Sequence, residues 1–270
     1  MTLLLSWLGV DSRAPASIYI ASDSRISWPG STCWDYGRKV FAFKNHPDIL
    51  GYCGDVFFPS QVLSQIVDIG DQGLLFDNDS PCKAKFEAIK EKVIQIFSSY
   101  PSDQHKIMGD YLGILHASRD IKKQFFCHLI EWTRGKGWSG REAKFRDHSD
   151  QLMVLGSGRT EFLRKFEEYW KSENKKTSRA VFHCFCDTLS SIKDQYCGGT
   201  PQLVGLYRIE NAKSFGIIHS KRRYFLGVDI TNLKNFNHID WRNELFERCD
   251  GYSMKRLKGA QSQPNPLKDI

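Results

Sequence analysis

No apolar run in this chain is long enough to cross a bilayer, since a spanning helix needs about 20 such residues and the stretch Leu3–Val10 is far shorter. That stretch also lacks a positively charged lead-in and runs into the polar "DSRAP" instead of a small-residue cleavage site, so it does not read as a secretory signal. A cytoplasmic protein with no membrane partner is therefore expected. There is no G-x-x-x-x-G-K-[ST] phosphate loop, and any ATP-driven step would need a separate partner. Cys184 and Cys186 have no second C-x-C or C-x-x-C to complete a metal shell, so neither metal nor cofactor is expected. Eight cysteines in 270 residues without a secretory signal read as reduced, buried thiols and not as a disulfide framework. The charge of +7 is scattered among acidic residues without a stripe of basic and aromatic side chains, which argues against nucleic acid as a partner. Internal repeats and low-complexity segments are absent as well.

What is present is an ordinary globular composition, 41% hydrophobic and 26% charged, with enough length for a substantial core. The runs "TLLLSWLGV" and "ASIYIAS" flank a turn and predict a hairpin of strands apolar on both faces, hence covered on both sides. A second hairpin is expected from "KVFAFKN" and "ILGYCGD", turning at His46, Pro47 and Asp48. Helical spacing follows: Val62, Ile66 and Ile69 behind Ser60, then Phe86, Ile89, Val93, Ile96 and Phe97. Strands at "YLGILHA" and "QFFCHLIEW" precede a polar loop from Thr133 to Asp150, and the strand "LMVLGSG" leads into two helices, "RTEFLRKFEEYWK" and "SRAVFHCFCDTLSSIK". Strands at "QLVGLYRI", "SFGIIH" and "RRYFLGV" close the pattern. The order of strands, two helices, strands, two helices, strands predicts an α+β fold in which two sheets stack with helices on both outer faces. One domain is expected over residues 1–230, followed by a C-terminal extension over 231–270 whose tail is mobile from about 259. Within the extension, Trp241, Leu245 and Phe246 suggest a helix that caps a neighbouring subunit or blocks a cleft. His105, His116, His128, His183 and His219 lack a spaced serine or cysteine partner, and read as core or surface histidines.

Four short stretches carry the chemistry: Asp23 in "IASDSRIS", Lys39 in "GRKVFAF", Ser157 in "LGSGR", and Asp194 with Cys197 in "KDQYCGGTP". Each alone reads as a turn, a surface lysine, a helix cap or a loop. With Thr2 directly behind the initiator Met1, and in this order, they resemble the proteasome β-subunit family of N-terminal nucleophile (Ntn) hydrolases, from Thr2 to about Ile209. The resemblance implies a four-layer αββα sandwich of two mainly antiparallel sheets. It also implies a threonine peptidase that cuts peptide bonds through an acyl-enzyme on Thr2 once Met1 is removed. A threonine hydroxyl needs a base within reach, and an α-amine with a reference pKa of about 7.7–8.0 suits that task.

By the same resemblance Asp23 and Lys39 flank the nucleophile, while Ser157 and Asp194 hold the amine and pass its proton. Gly54 would offer an oxyanion N–H, and the backbone of Ser27 would pair with an extended peptide. Tyr52 and Val56 would shape the pocket before the cut, with Tyr52 narrowing it toward small or medium side chains. The family further implies a homo-oligomeric ring, a peptide or unfolded-protein substrate, and a separate unfoldase. The chain departs from the pattern in a first hairpin about five residues longer, and in Cys197 where a serine is usual, which implies a less firmly held amine. Two other readings stay open: a catalytically silent scaffold subunit, and a small-amide hydrolase on the same framework.

Overall fold

The computed structural model describes residues 2–28, 30, 32–77, 79–101 and 109–261. His105 and the final tail residues, 262–270, lie outside them. Among the described residues the chain opens with β1 (Leu4–Val10) and β2 (Pro15–Ser22), then the two-residue strands β3 (Ile26–Ser27) and β4 (Cys33–Trp34). Next come β5 (Val40–Ala42), β6 (Asp48–Gly54) and the helices α1 (Phe57–Asp71) and α2 (Cys82–Phe97). The middle holds β7 (Tyr111–Arg119), β8 (Phe125–Thr133), β9 (Gly137–Glu142) and β10 (Asp150–Leu155), then α3 (Arg159–Tyr169) and α4 (Ser178–Ser191). The last part holds β11 (Gln202–Tyr207), β12 (Lys213–His219), β13 (Arg222–Phe225), β14 (Val228–Asp229), β15 (Trp241–Asn243) and β16 (Arg248–Cys249). The described residues form an α+β fold with mainly antiparallel sheets and four α-helices. Asp55 Oδ1 accepts the Phe58 amide at 3.1 Å, which starts α1 ahead of Ser60.

One sheet runs β10-β1-β2-β11-β12-β13-β14, with β15 and β16 added beside β12. A second runs β5-β6-β7-β8-β9, and β3 pairs with β4 in a small sheet of their own. Alternation along β1 explains why the first strands are apolar throughout. Leu4 and Leu8 join Ile18 and Ile20 in a core shared with Ile49, Leu115 and Leu129 of the second sheet. Leu3, Leu5 and Trp7 point the other way, into a core with Phe162, Phe166, Phe182 and Phe185 of α3 and α4. A third core packs Phe41, Leu50, Ile114 and Ile130 against Val62, Ile66, Ile89 and Val93 of α1 and α2. Each fully buried large side chain contributes about 1.5–3 kcal/mol, so β1 is fixed from both faces before any polar contact is made. Cys184 and Cys186 lie in α4 within the second of these cores, and all eight cysteines are free thiols.

Two expectations are corrected. The stretch Thr133–Asp150 is not all loop: β9 pairs with β8 across a tight turn, Thr133 opposite Gly137 and His128 opposite Glu142. Its residues are mostly exposed, so no buried face marked it in the sequence. The C-terminal extension forms no helix at Trp241–Phe246. Asn243 Oδ1 accepts the amides of Leu245 and Glu247 at 3.1 and 2.8 Å, and Phe246 has φ +62°, which together close a turn where a helix would have to continue. Trp241 instead sits in β15, which pairs in parallel with β12, and its ring is buried beside Phe236 and Cys249.

Between the sheet formed by β5–β9 and α2, Asp48 accepts from Lys85 Nζ at 3.1 Å and meets His116 Nε2 at 2.8 Å. All three side chains are buried. Neighbouring His128 stacks on Phe86 with ring centroids 4.2 Å apart, and burial, with help from the nearby His116, pulls its pKa down to about 4. These histidines are structural.

Candidate active site

β1, β2 and β5 bring three chemically active side chains to one buried point. Lys39 Nζ donates to Thr2 Oγ1 at 2.7 Å and to Asp23 Oδ1 at 3.0 Å. Thr2 is 1% exposed, and Asp23 and Lys39 are fully buried. Asp23 lies just past the end of β2 and receives four donors. Besides Lys39 these are the Leu3 amide on Oδ1 at 3.1 Å, and the amides of Arg25 and Gly198 on Oδ2 at 3.3 and 3.0 Å. A carboxylate so furnished offsets much of the desolvation cost of the ion pair.

Thr2 itself is held at three atoms. Its nitrogen donates to Ser157 Oγ at 3.3 Å, its carbonyl accepts the Gly158 amide at 3.2 Å, and its hydroxyl meets Lys39. Gly156 makes the close approach possible. Its φ is +88°, and a Cβ there would stand 2.0 Å from the Thr2 carbonyl oxygen, so only glycine fits. A cleft of about 680 Å³ runs along the outer edge of β10 and ends at Gly156 and Ser157, with Arg141 and Arg159 on its walls.

Asp194 and Cys197 make no side-chain hydrogen bond to Thr2, Asp23 or Lys39, although a Cβ on Gly158 would stand 3.1 Å from Cys197 Sγ. Asp194 Oδ1 accepts the Tyr196 amide at 2.9 Å, and its buried Oδ2 has no hydrogen-bond partner among the described residues. Cys197 is packed into the core beneath α3 and α4, where burial pushes its thiol up. Neither side chain bonds the Thr2 nitrogen. Gly54 ends β6 with φ +94°, two residues beyond Tyr52, whose amide donates to the Lys39 carbonyl at 3.1 Å. The Tyr52 ring is fully buried, and its hydroxyl donates to the Arg38 carbonyl at 3.1 Å. Val56 is the residue before α1. Ser27 pairs with Cys33 in the small β3–β4 hairpin, beside which Arg25 makes a two-pronged bond to Asp35 at 2.8 and 3.0 Å.

One residue that the sequence reading missed ties the centre together. Gln202, fully buried, accepts the Lys39 amide at 3.1 Å and donates to the carbonyls of Asp23 and Gly37 at 3.1 and 2.7 Å. The available signal was a single glutamine opening an otherwise apolar strand, "QLVGLY".

No protein-family model matches the chain, and no curated protein matches it. Among solved structures it is similar to a Gly-1 mutant of Anbu from Hyphomicrobium sp. strain MC1, with TM-score 0.53, 12% identity, and coverage of 84% of this chain and 87% of that one. It is also similar to Anbu in a helical assembly from Pseudomonas aeruginosa, with TM-score 0.56, 10% identity, and coverage of 86% and 88%. At these identities the likeness is one of fold.

Proposed function

We propose that this chain is a proteasome-like Ntn hydrolase, a threonine peptidase in which Thr2, freed of Met1, attacks the carbonyl of a peptide bond. The observation that carries this reading is the contact of Lys39 Nζ with both Thr2 Oγ1 and Asp23 Oδ1. A buried ammonium touching a hydroxyl favours the alkoxide over the alcohol, which is what a weak nucleophile requires. The freed α-amine takes the hydroxyl proton as Oγ1 bonds to the carbonyl carbon, and returns it to the departing amine. Water then cleaves the ester left on Thr2.

Ser157, already bonded to the Thr2 nitrogen, orients that amine, with Asp194 and Cys197 assigned to the same set. The Gly54 N–H is assigned to the oxyanion, the Ser27 backbone to the extended substrate, and Val56 to the pocket before the cut, while the fully buried Tyr52 ring does not narrow that pocket. The three cores support a four-layer αββα arrangement. The helical assembly of the similar Pseudomonas protein supports self-association of this chain, and a separate unfoldase would deliver protein substrates.

Intact mass and turnover test the proposal together. Material lacking Met1 should hydrolyse members of a panel of peptides and acylated amino-acid amides, and Thr2→Ala should remove all turnover. Quantitative retention of Met1, or turnover unchanged in Thr2→Ala, would sink it.

A further inference from the structure

At the far end of β1 from Thr2, roughly 25 Å along the strand at ~3.3 Å per residue, lies a second cavity, of about 360 Å³. Four basic side chains line it, Lys176, Arg179, Arg242 and Arg248, and no carboxylate does. None of the four forms an ion pair among the described residues. Arg179 donates to Gln261 Oε1 at 3.0 Å. Arg242 donates only to neutral oxygens, the Trp241 carbonyl and the Tyr207 hydroxyl, at 3.0 and 2.9 Å.

The state of Arg242 decides what this means. It is 6% exposed and lies between the rings of Phe215 and Phe246, at 5.1 and 5.6 Å from their centroids. A buried guanidinium ordinarily carries a carboxylate partner. Two acids whose charge reaches Arg179 and Lys176 from outside the lining are otherwise bonded: Glu247 accepts the Asn243 amide group at 2.8 Å and faces Arg256 at 3.9 Å, and Asp147 is bound to His148 at 2.7 Å.

Beside the apolar Val10, Ala16 and Phe246, the lining supplies further donors. α4 starts in the cavity. Thr177 Oγ1 accepts the Ala180 amide at 3.2 Å, while the amides of Ser178 and Arg179 have no acceptor among the described residues, so the positive end of a 14-residue helix is open. The hydroxyls of Ser17 and Ser178 converge at 2.3 and 2.9 Å from where a Cβ on Gly9 would be.

From these observations we infer that the cavity binds a small phosphate-bearing anion. The ligand would supply the charge that Arg242 lacks, and Arg179, Arg248 and the α4 amides would bind its remaining oxygens. Planar guanidinium groups suit phosphoryl oxygens in paired bonds. A cavity of this size, near the lower end for small-molecule sites, leaves room for more than the phosphoryl group and too little for a polymer.

The test is a calorimetric titration of the full chain with pyrophosphate at physiological salt, repeated on Arg248→Glu and Lys176→Glu. Both positions are exposed, so these variants should fold whether or not Arg242 tolerates replacement. One saturable site is expected, weakened at least about tenfold in each variant and unchanged in Lys92→Glu, a control on the exposed face of α2. Absence of saturable binding up to about 10 mM pyrophosphate would overturn the inference. So would equal affinity in Arg248→Glu, or tighter binding of a short single-stranded RNA than of pyrophosphate.

Discussion

Gln202 grips Lys39 by its backbone, accepting that residue's amide at 3.1 Å while its own NH₂ group spans the carbonyls of Asp23 and Gly37. The residue that positions the ammonium is thus 163 positions away in sequence. Gln202→Leu leaves three buried backbone groups unpaired. Urea unfolding should register a loss of about 2–4 kcal/mol, and Gln202→Glu, which sets a buried carboxylate oxygen against the two carbonyls, should lose at least as much.

The ion pair at Lys39 and Asp23 separates stability from chemistry. Lys39→Met leaves a buried carboxylate uncompensated and should cost about 3–5 kcal/mol. Adding Asp23→Leu should recover part of that loss in guanidinium unfolding without restoring any turnover. If the double variant is no more stable than the single one, the Leu3, Arg25 and Gly198 amides suffice to hold a lone carboxylate at Asp23.

Gly156→Ala sets a Cβ against the Thr2 carbonyl at 2.0 Å and forces a side chain into left-handed backbone. A loss above about 3 kcal/mol is expected. Gly135→Ala is the control, because its φ is +77° with open space around it, and only the backbone strain of about 1–2 kcal/mol should appear there. Equal losses at the two sites would show that the contact with Thr2 does not constrain the centre.

His128 predicts a stability slope with pH. Its folded pKa of about 4 lies below the unfolded value of about 6.5, so between these pH values the unfolded chain binds more protons than the folded one. The contribution is fully present above about pH 6.5 and is lost as pH falls toward 4, by roughly 2–3 kcal/mol. His128→Phe keeps the stack on Phe86 and should flatten that part of the curve. An unchanged slope would assign it to other groups, among them His183, which burial shifts in the same direction.

The sequence revealed the parts of this molecule whose signal is local or ordered. The double-sided apolar character of Leu3–Val10 announced a strand covered on both faces, and the apolar spacings of α1 to α4 were those of buried helix faces. Thr2, Asp23, Lys39 and Ser157 stood out through their order along the chain, and the structure brings these four together. Other features had no such mark. β9 is almost wholly exposed, so alternation left no trace. At Asn243 a side chain capping two amides overrode the apolar spacing of Trp241 and Leu245. Gln202 acts through contacts with residues more than 160 positions away, which no local pattern encodes. The cationic cavity draws its members from β15, β16, the β1–β2 hairpin and the start of α4, so its charges appear in sequence only as scattered basic residues.

The pairing order of the larger sheet governs when the Thr2 centre can exist during synthesis. Leu4 pairs with Ser22 in the β1–β2 hairpin, but that hairpin gains its flanking strands much later, Leu4 with Leu155 and Ser22 with Gln202. At about 5–20 residues per second, the interval from Asp23 to Gln202 is roughly 10 s or more. Contacts this distant in sequence form slowly even in a complete chain. Thr2, Lys39 and Gln202 therefore meet only after most of the polypeptide has emerged. A nascent chain thus emerges for most of its length without the buried contacts of Thr2, Asp23 and Lys39.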